Sequence, residues 1–511
     1  MTLTVAICVI SNVIPNAIFD RRLIPLGLIS IVSFTANIAI VSLGYCMGWT
    51  SPTNQKLGED YATQSPLGRP ITGDEEAWIG SLLNIGAIIG PFIGSLAAST
   101  IGRKWGLLSS SLPLFAGWIF VAVVTDVWML YVGRIFWGVG VGMVFTISPM
   151  YCAEIATDDV RGALGSFLQM FITVGFLMVY AIGPYVSYAV TSYIGVAIVI
   201  VFVILFFFMP ESPTYHLSKN DRESAAMCLA SIRGLSKEAV QPELDKMAAD
   251  VAKSLATTAK ISDIWSTRAN IKAMYVCCAL LFFQQFCGIN AVLFYMGNIF
   301  QASGSDLSAA VATIIIGAVQ LGASCVTPLV VDRLGRRLLL LISSCGTAVG
   351  LGLLGMYFIM NANEVAIVSS LGFLPVLSLV LFIITYCVGL GPLPWAIMGE
   401  LFAVEVKAVA APIATAFCWI LSFFITRRVG KERRALEVND LSSTEITFFG
   451  PISDALGMHY AFWIFGICCV CSFVFTMFLV PETKGKSFQQ IQDMLSGRTS
   501  KPTKEMEKTK A

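Results

Sequence analysis

Six polar side chains stand inside segments that are otherwise apolar: Gln169, the adjacent Gln284 and Gln285, Asn290, Gln320 and Trp395. Five are amides, which both donate and accept hydrogen bonds, and the sixth is an indole, a flat apolar plate with one donor. Such a set suits reversible binding of a neutral polyhydroxylated ligand, a sugar above all, better than an ion. Polar groups in hydrocarbon are costly and tend to face a cavity or a partner. The competing reading is that the amides only bond neighbouring helices. For Gln320 the two readings balance, whereas an adjacent Gln pair followed by Asn290 favours a ligand. Neither His216 nor His459 has a companion for a metal site or a catalytic triad, and no glycine-rich phosphate loop is present. The 14 cysteines lack metal-ligand spacing and read as small core residues. Neither an enzyme, nor a cofactor or metal, nor nucleotide-driven pumping is expected.

These side chains need elements that can carry them through lipid. With 56% apolar and 13% charged residues and a mean hydropathy of +0.77, a chain of 511 residues has too little polar surface for water. It reads as an integral membrane protein, all-α, because its apolar runs are continuous and not alternating as in a barrel. Runs long enough to cross a hydrocarbon core fall near 27–49, 77–99, 106–125, 128–151, 163–187 and 190–209, then near 273–300, 308–331, 338–360, 370–397, 408–426 and 459–480. Two sixes are also marked by punctuation. Gly102-Arg103-Lys104 and Pro210-Glu211-Ser212 in the first half answer to Gly335-Arg336-Arg337 and Pro481-Glu482-Thr483 in the second. Duplicated halves place the working site between them.

The basic residues set the orientation. Arg103, Lys104, Arg161, the lysines and arginines of 216–272, Arg333, Arg336, Arg337 and the lysine-rich tail share one face, expected to be cytoplasmic with both termini inside. The organisation expected is an N-terminal segment 1–26, a six-helix bundle 27–209, cytoplasmic linker helices 210–272, a second bundle 273–480 and a cytoplasmic tail 481–511. Residues 427–446 break the pattern. Arg427, Arg428, Lys431, Arg433 and Arg434 would lie on the outer face, and Glu400 to Glu482 spans 82 positions where Glu154 to Glu211 spans 57. An inserted loop is expected there. A net charge of +1 gives no reason for a nucleic-acid partner, no obligate protein partner is implied, and no organelle signal diverts the chain from the plasma membrane.

Gln284-Gln285 with Gly288-Ile289-Asn290 and Tyr295 resembles the seventh-helix signature of the sugar porter family, within the major facilitator superfamily. Also similar are Arg134 with Gly138, Pro149-Met150-Tyr151 with Glu154, Arg161-Gly162, Asp332-Arg333 before Gly335, Pro392 with Pro394-Trp395, Glu400-Leu401-Phe402 and Pro481 through Gly485. Gly44-Tyr45 and Thr50-Ser51-Pro52 resemble the insect trehalose-transporter-like branch. The resemblance implies the twelve-helix major facilitator fold and sugar binding by Gln169, Gln284, Gln285, Asn290 and Trp395, with Gln320 where asparagine is common. It also implies charged latches at the inner helix ends: Arg103, Glu154, Arg161 and Glu211 in one half, and Asp332, Arg336, Arg337, Glu400, Lys407 and Glu482 in the other. Arg134, the clear charge within a span, is expected to bond backbone or polar groups facing the inner cavity. Against the family pattern, Ser99 and Thr214 replace an aspartate and an arginine of the first latch, Cys418 and Cys387 stand where asparagine and glutamate are frequent, and Cys46 takes the place of an aspartate that proton-linked members carry. The expectation is facilitative uniport of a hexose or trehalose. A proton-coupled symporter, or a sugar receptor that does not transport, is the alternative.

Overall fold

The computed structural model describes residues 23–58, 65–157, 161–256, 261–290, 292–293, 308–363, 365, 367–368, 371–402, 404–437, 458–484, 486 and 488–496, and among these there is no strand. Twelve spans follow one another. In the first half they are α1 (Leu23–Gly48, continued by Thr50–Gly58), α2 (Gly73–Thr100), α3 (Arg103–Ser109 and Ser111–Ala122), α4 (Val127–Ile155), α5 (Arg161–Ile182) and α6 (Tyr188–Phe207). In the second they are α7 (Arg268–Phe286), α8 (Ala309–Leu334), α9 (Arg336–Ala362), α10 (Leu374–Val388 and Leu393–Leu401), α11 (Val404–Glu437) and α12 (Met458–Leu479).

Local chemistry marks the ends. Thr72 and Glu75 form a capping box at the start of α2, and the side chains of Ser187, Thr267 and Ser308 accept backbone N–H groups at the starts of α6, α7 and α8. Glycine stripes set how closely the helices pack. A Cβ at Gly86 or Gly138 would lie 2.1 or 2.0 Å from a backbone oxygen of the facing helix, which joins α2 to α4, and Gly44 and Gly175 do the same for α1 and α5. The pairing repeats in the second half, α7 on α11 and α8 on α10, and the halves meet where α2 packs on α11 and α5 on α8.

Three departures from the sequence expectation, and two breaks within spans, shape these elements. The first span begins at Leu23, inside the expected N-terminal segment 1–26, the rest of which lies outside the described residues. Among the described residues eleven helices are long and apolar enough to cross a membrane by length and composition; Arg268, Asn270, Lys272, Gln284 and Gln285 lower the hydropathy of α7, which is therefore not one of them and runs for 19 residues up to Phe286. Gly288, at φ +82°, turns the chain there, and a Cβ would meet the Phe465 ring at 2.8 Å. Span α10 is likewise interrupted between Val388 and Leu393, where the Gly391 N–H folds back to Tyr386 O at 2.8 Å. The expected loop 427–446 starts as helix, since α11 runs to Glu437, and 438–446 lies outside the described residues. The linker, expected as a plain bridge, has its own apolar cluster: Leu217, Ala225, Ala226, Leu229 and Leu244 from the helices Pro213–Ser218, Arg222–Arg233 and Gln241–Ala256 pack together with Val240 in the turn before the last. Arg233 moors it, pairing with Glu243 at 2.7 Å and donating to Ile155 O, just at the end of α4, at 2.8 Å.

Candidate functional site

The break after α7 brings two of the expected amides into one chain of hydrogen bonds. Asn290 Nδ2 donates to Gln285 Oε1 at 2.6 Å and to Ser422 Oγ at 2.8 Å, and Gln285 Nε2 lies 2.9 Å from Cys418 Sγ. Ser422 Oγ in turn donates to Asn84 Oδ1 at 3.1 Å, carrying the chain from α11 across to α2 of the other half. All five side chains are buried. Gln284 acts differently from its neighbour: its amide donates to Leu390 O at 2.8 Å and Gly391 O at 2.7 Å, the carbonyls freed by the interruption of α10. Irregular backbone at this depth needs such partners.

Half-buried Trp395 follows that interruption and lies 5.8 Å from the Phe145 ring, which also meets Trp419 at 5.8 Å. Phe145 belongs to α4 and both indoles to the second half, so the aromatic plate spans the same divide as the amides. Gln169 on α5 is half-buried, and Gln320 on α8 is buried with no hydrogen-bond partner for Oε1 among the described residues. They stand outside the chain of contacts, on the other pair of spans that joins the halves. Tyr295 lies outside the described residues. Sequence reasoning missed Asn84, Ser422, Phe145 and Trp419; Cys418 entered it as a departure from a pattern.

At the Asp74 end of α2 the halves are closed along α2 and α11. Arg427 Nη2 pairs with Asp74 Oδ1 at 2.7 Å while its guanidinium lies 4.4 Å from the Trp78 ring centroid, and Trp78 also meets Phe423 at 6.4 Å. Tyr180 on α5 donates to Leu293 O at 3.0 Å, adding a second bridge between halves. Arg134 bonds backbone groups, at the end of α4 away from Glu154. Fully buried, it donates to Ile79 O, Cys46 O and Gly80 O at 2.6, 3.0 and 3.3 Å. It stands twenty residues before Glu154 on α4, about 30 Å at 1.5 Å per residue, so it binds α1, α2 and α4 together at the end opposite Glu154.

The helix ends opposite the Asp74–Arg427 pair carry the two charged clusters, and they match. Glu154 accepts from Arg103 Nη2 at 2.9 Å and is bonded to Ser212 Oγ, while Glu211 Oε1 accepts the backbone N–H of Arg103 at 2.8 Å and of Lys104 at 3.0 Å. In the second half Glu400 pairs with Arg336 at 3.2 Å, and Glu482 accepts the backbone N–H of Arg336 and of Arg337, each at 3.1 Å. Burial pushes the Glu482 carboxyl up, but the N–H groups of Lys484, Arg336, Arg337 and Thr483 outweigh it and hold it below the usual carboxylate range. Each of these pairs ties helices within one half. Lys407 Nζ donates to Gly399 O at 2.9 Å, and Arg337 reaches Met477 O. The side chains of Arg161 and Asp332 lie outside the described residues.

The arrangement has close counterparts. The chain is 33% identical over 469 residues to the facilitated trehalose transporter Tret1 of Apis mellifera ligustica, covering 91% of this chain and 88% of that one. It is 31% identical over 466 residues to Tret1 of Bombyx mori, covering 91% and 86%. The fold superposes on the proton:xylose symporter XylE, a major facilitator superfamily protein solved with 6-bromo-6-deoxy-D-glucose, with a TM-score of 0.72 at 23% identity over 92% of this chain and 99% of that one. That likeness makes the twelve spans in two halves a major facilitator fold. Residues 36–495 match the family model described as "Sugar (and other) transporter", so the duplicated bundles and the amides between them have a family setting: the chain belongs to the sugar transporter family.

Proposed function

We propose that this protein is a facilitative carrier that moves a neutral sugar, a hexose or trehalose, down its gradient across the plasma membrane by alternating access, with both termini in the cytoplasm. The observation that carries the reading is the uncharged chain Cys418, Gln285, Asn290, Ser422 and Asn84, which crosses from one half to the other beside Trp395 and Trp419. Amides and indoles match sugar hydroxyls and apolar ring faces. A pocket divided between two halves also lets each half carry its share of contacts when the halves rock. Relatives named facilitated trehalose transporters support the substrate class and the absence of an ion gradient. So does Cys46, which stands where proton-linked members carry an aspartate and whose backbone oxygen accepts from Arg134. Proton coupling through Glu154 would require a carboxylate already engaged by Arg103 and Ser212 to release both.

Uptake of labelled glucose and labelled trehalose into cells expressing the chain tests the reading. With equal pH on both sides, uptake should saturate, accelerate when unlabelled sugar is loaded on the far side, and change little when the exterior is acidified. Uptake that appears only with an acidic exterior sinks uniport in favour of symport. Sugar binding by surface-exposed protein without flux sinks transport altogether in favour of a receptor.

A further inference from the structure

Asn84 is a polar residue that the chemistry of the opposite half leaves half-used. It lies ten residues along α2 from Asp74, about 15 Å at 1.5 Å per residue, and so near the middle of a hydrocarbon core about 30 Å thick. An amide at that depth needs a reason. It is 1% exposed; Oδ1 accepts from Ser422, and Nδ2 has no hydrogen-bond partner among the described residues. Turning the amide over only exchanges the orphan, because Nδ2 would then serve Ser422 and Oδ1 would be left. Helix packing does not explain it either. Gly86 faces α4, and Asn84, two residues earlier and about 200° around the helix, points towards α11.

We infer that Asn84 is the N-terminal half's own hydrogen-bonding contact to the carried sugar, made in the outward-facing part of the cycle. The inference rests on the sugar-carrier reading. With the outer seam shut, the free edge of Asn84 is sealed between α2 and α11. Alternating access from the outside requires that seam to part, and parting breaks the Ser422 contact. Both polar atoms of Asn84 are then unpaired at mid-depth, on the side of the cavity opposite Gln285 and Asn290. A sugar hydroxyl both donates and accepts, so it can satisfy an amide that an ion could satisfy only in part. Sugar loaded from the inside meets the seam still closed and does not touch this edge.

Entry and exit therefore separate. Asn84→Ser and Asn84→Ala are made in the intact chain, surface amounts are measured, and KM is read for entry and for exit of labelled glucose and trehalose and for entry of monodeoxyglucoses. Serine keeps an acceptor for Ser422, so it preserves the seam if alanine does not. The expected result is a rise in entry KM of roughly three- to tenfold, the size of one neutral hydrogen bond, with exit KM unchanged. Discrimination against one deoxy position should vanish with it. Entry and exit KM rising together, or a fall in maximal rate alone, would show a merely structural residue and overturn the inference while leaving the carrier standing. Absence of saturable uptake by the unsubstituted chain would overturn both.

Discussion

Gly102→Ala and Gly335→Ala should each melt far below the unsubstituted protein and reach the cell surface in small amounts. The two glycines adopt φ +103° and +87°, a region that L side chains rarely enter. A Cβ at Gly102 would sit 2.3 Å from Glu211 Oε2, and one at Gly335 would sit 2.8 Å from Glu482 Oε2. The substituted chain either strains its backbone, at about 1–3 kcal/mol, or displaces the carboxylate that caps the following helix, at about 0.5–2 kcal/mol. Both together come to roughly 2–5 kcal/mol, a large part of the 5–15 kcal/mol that holds an ordinary domain together. Gly352→Ala is the matched control: beyond its own stretch of helix nothing lies within 4 Å of its Cβ position, and it stands inside α9, where alanine is the better helix former. Thermal unfolding in detergent decides between them. If Gly102→Ala melts with Gly352→Ala, the cap is not what fixes this turn. Acid should weaken the second cap in the same way, because the Glu482 carboxyl is depressed when folded: its contribution is present above the ordinary carboxylate value and is lost as pH falls through the lower, folded one.

That turn also marks the limit of one-dimensional reading. The pairing of a Gly-Arg turn with a distant Pro-Glu in each half was legible as a repeat, and the charges suggested arginine–glutamate latches. In the structure Glu211 and Glu482 take the backbone N–H groups at the starts of α3 and α9, and the arginine side chains go to Glu154 and Glu400. A motif cannot tell a backbone donor from a side-chain donor, so which carboxylate each arginine side chain takes was not legible. Span count and order were legible because each crossing needs about 20 apolar residues. The stops inside α7 and α10 were visible as Gly288 and as Gly389 to Pro394. Asn84 and Ser422 were not, since one polar residue in an apolar run has no periodicity and acquires meaning only from the helix it meets. Arg427 failed in the opposite sense. Its charge on the outer face looked foreign to the fold, yet Asp74 and Trp78 across the seam give it a partner and a plate, a tertiary fact that no charge count contains.

Adjacent Gln284 and Gln285 should separate into two phenotypes. Gln285→Ala removes the acceptor of Asn290 and the donor to Cys418 but touches no backbone, so the protein should fold, reach the surface and lose affinity. Its sugar KM should rise by roughly ten- to a hundredfold, since one amide can offer two hydrogen bonds worth about 1 kcal/mol each and its loss also loosens Asn290. Gln284→Ala leaves the carbonyls of Leu390 and Gly391 unpaired in the membrane-embedded break of α10, at about 1–3 kcal/mol for each buried group. Its first effect should therefore be a smaller surface population and a lower maximal rate, with KM of the surviving protein moved less than in Gln285→Ala. Gln284→Glu makes the comparison stricter. A carboxylate keeps the size but has no N–H for either carbonyl, and two oxygens facing two carbonyls repel, so it should fare no better than alanine. Surface labelling alongside uptake kinetics separates the two roles. If both alanine variants appear at full surface density with the same rise in KM, the α10 break does not depend on Gln284 and both glutamines serve the sugar; if Gln285→Ala alone leaves KM unchanged, the amide chain between the halves is not the binding site.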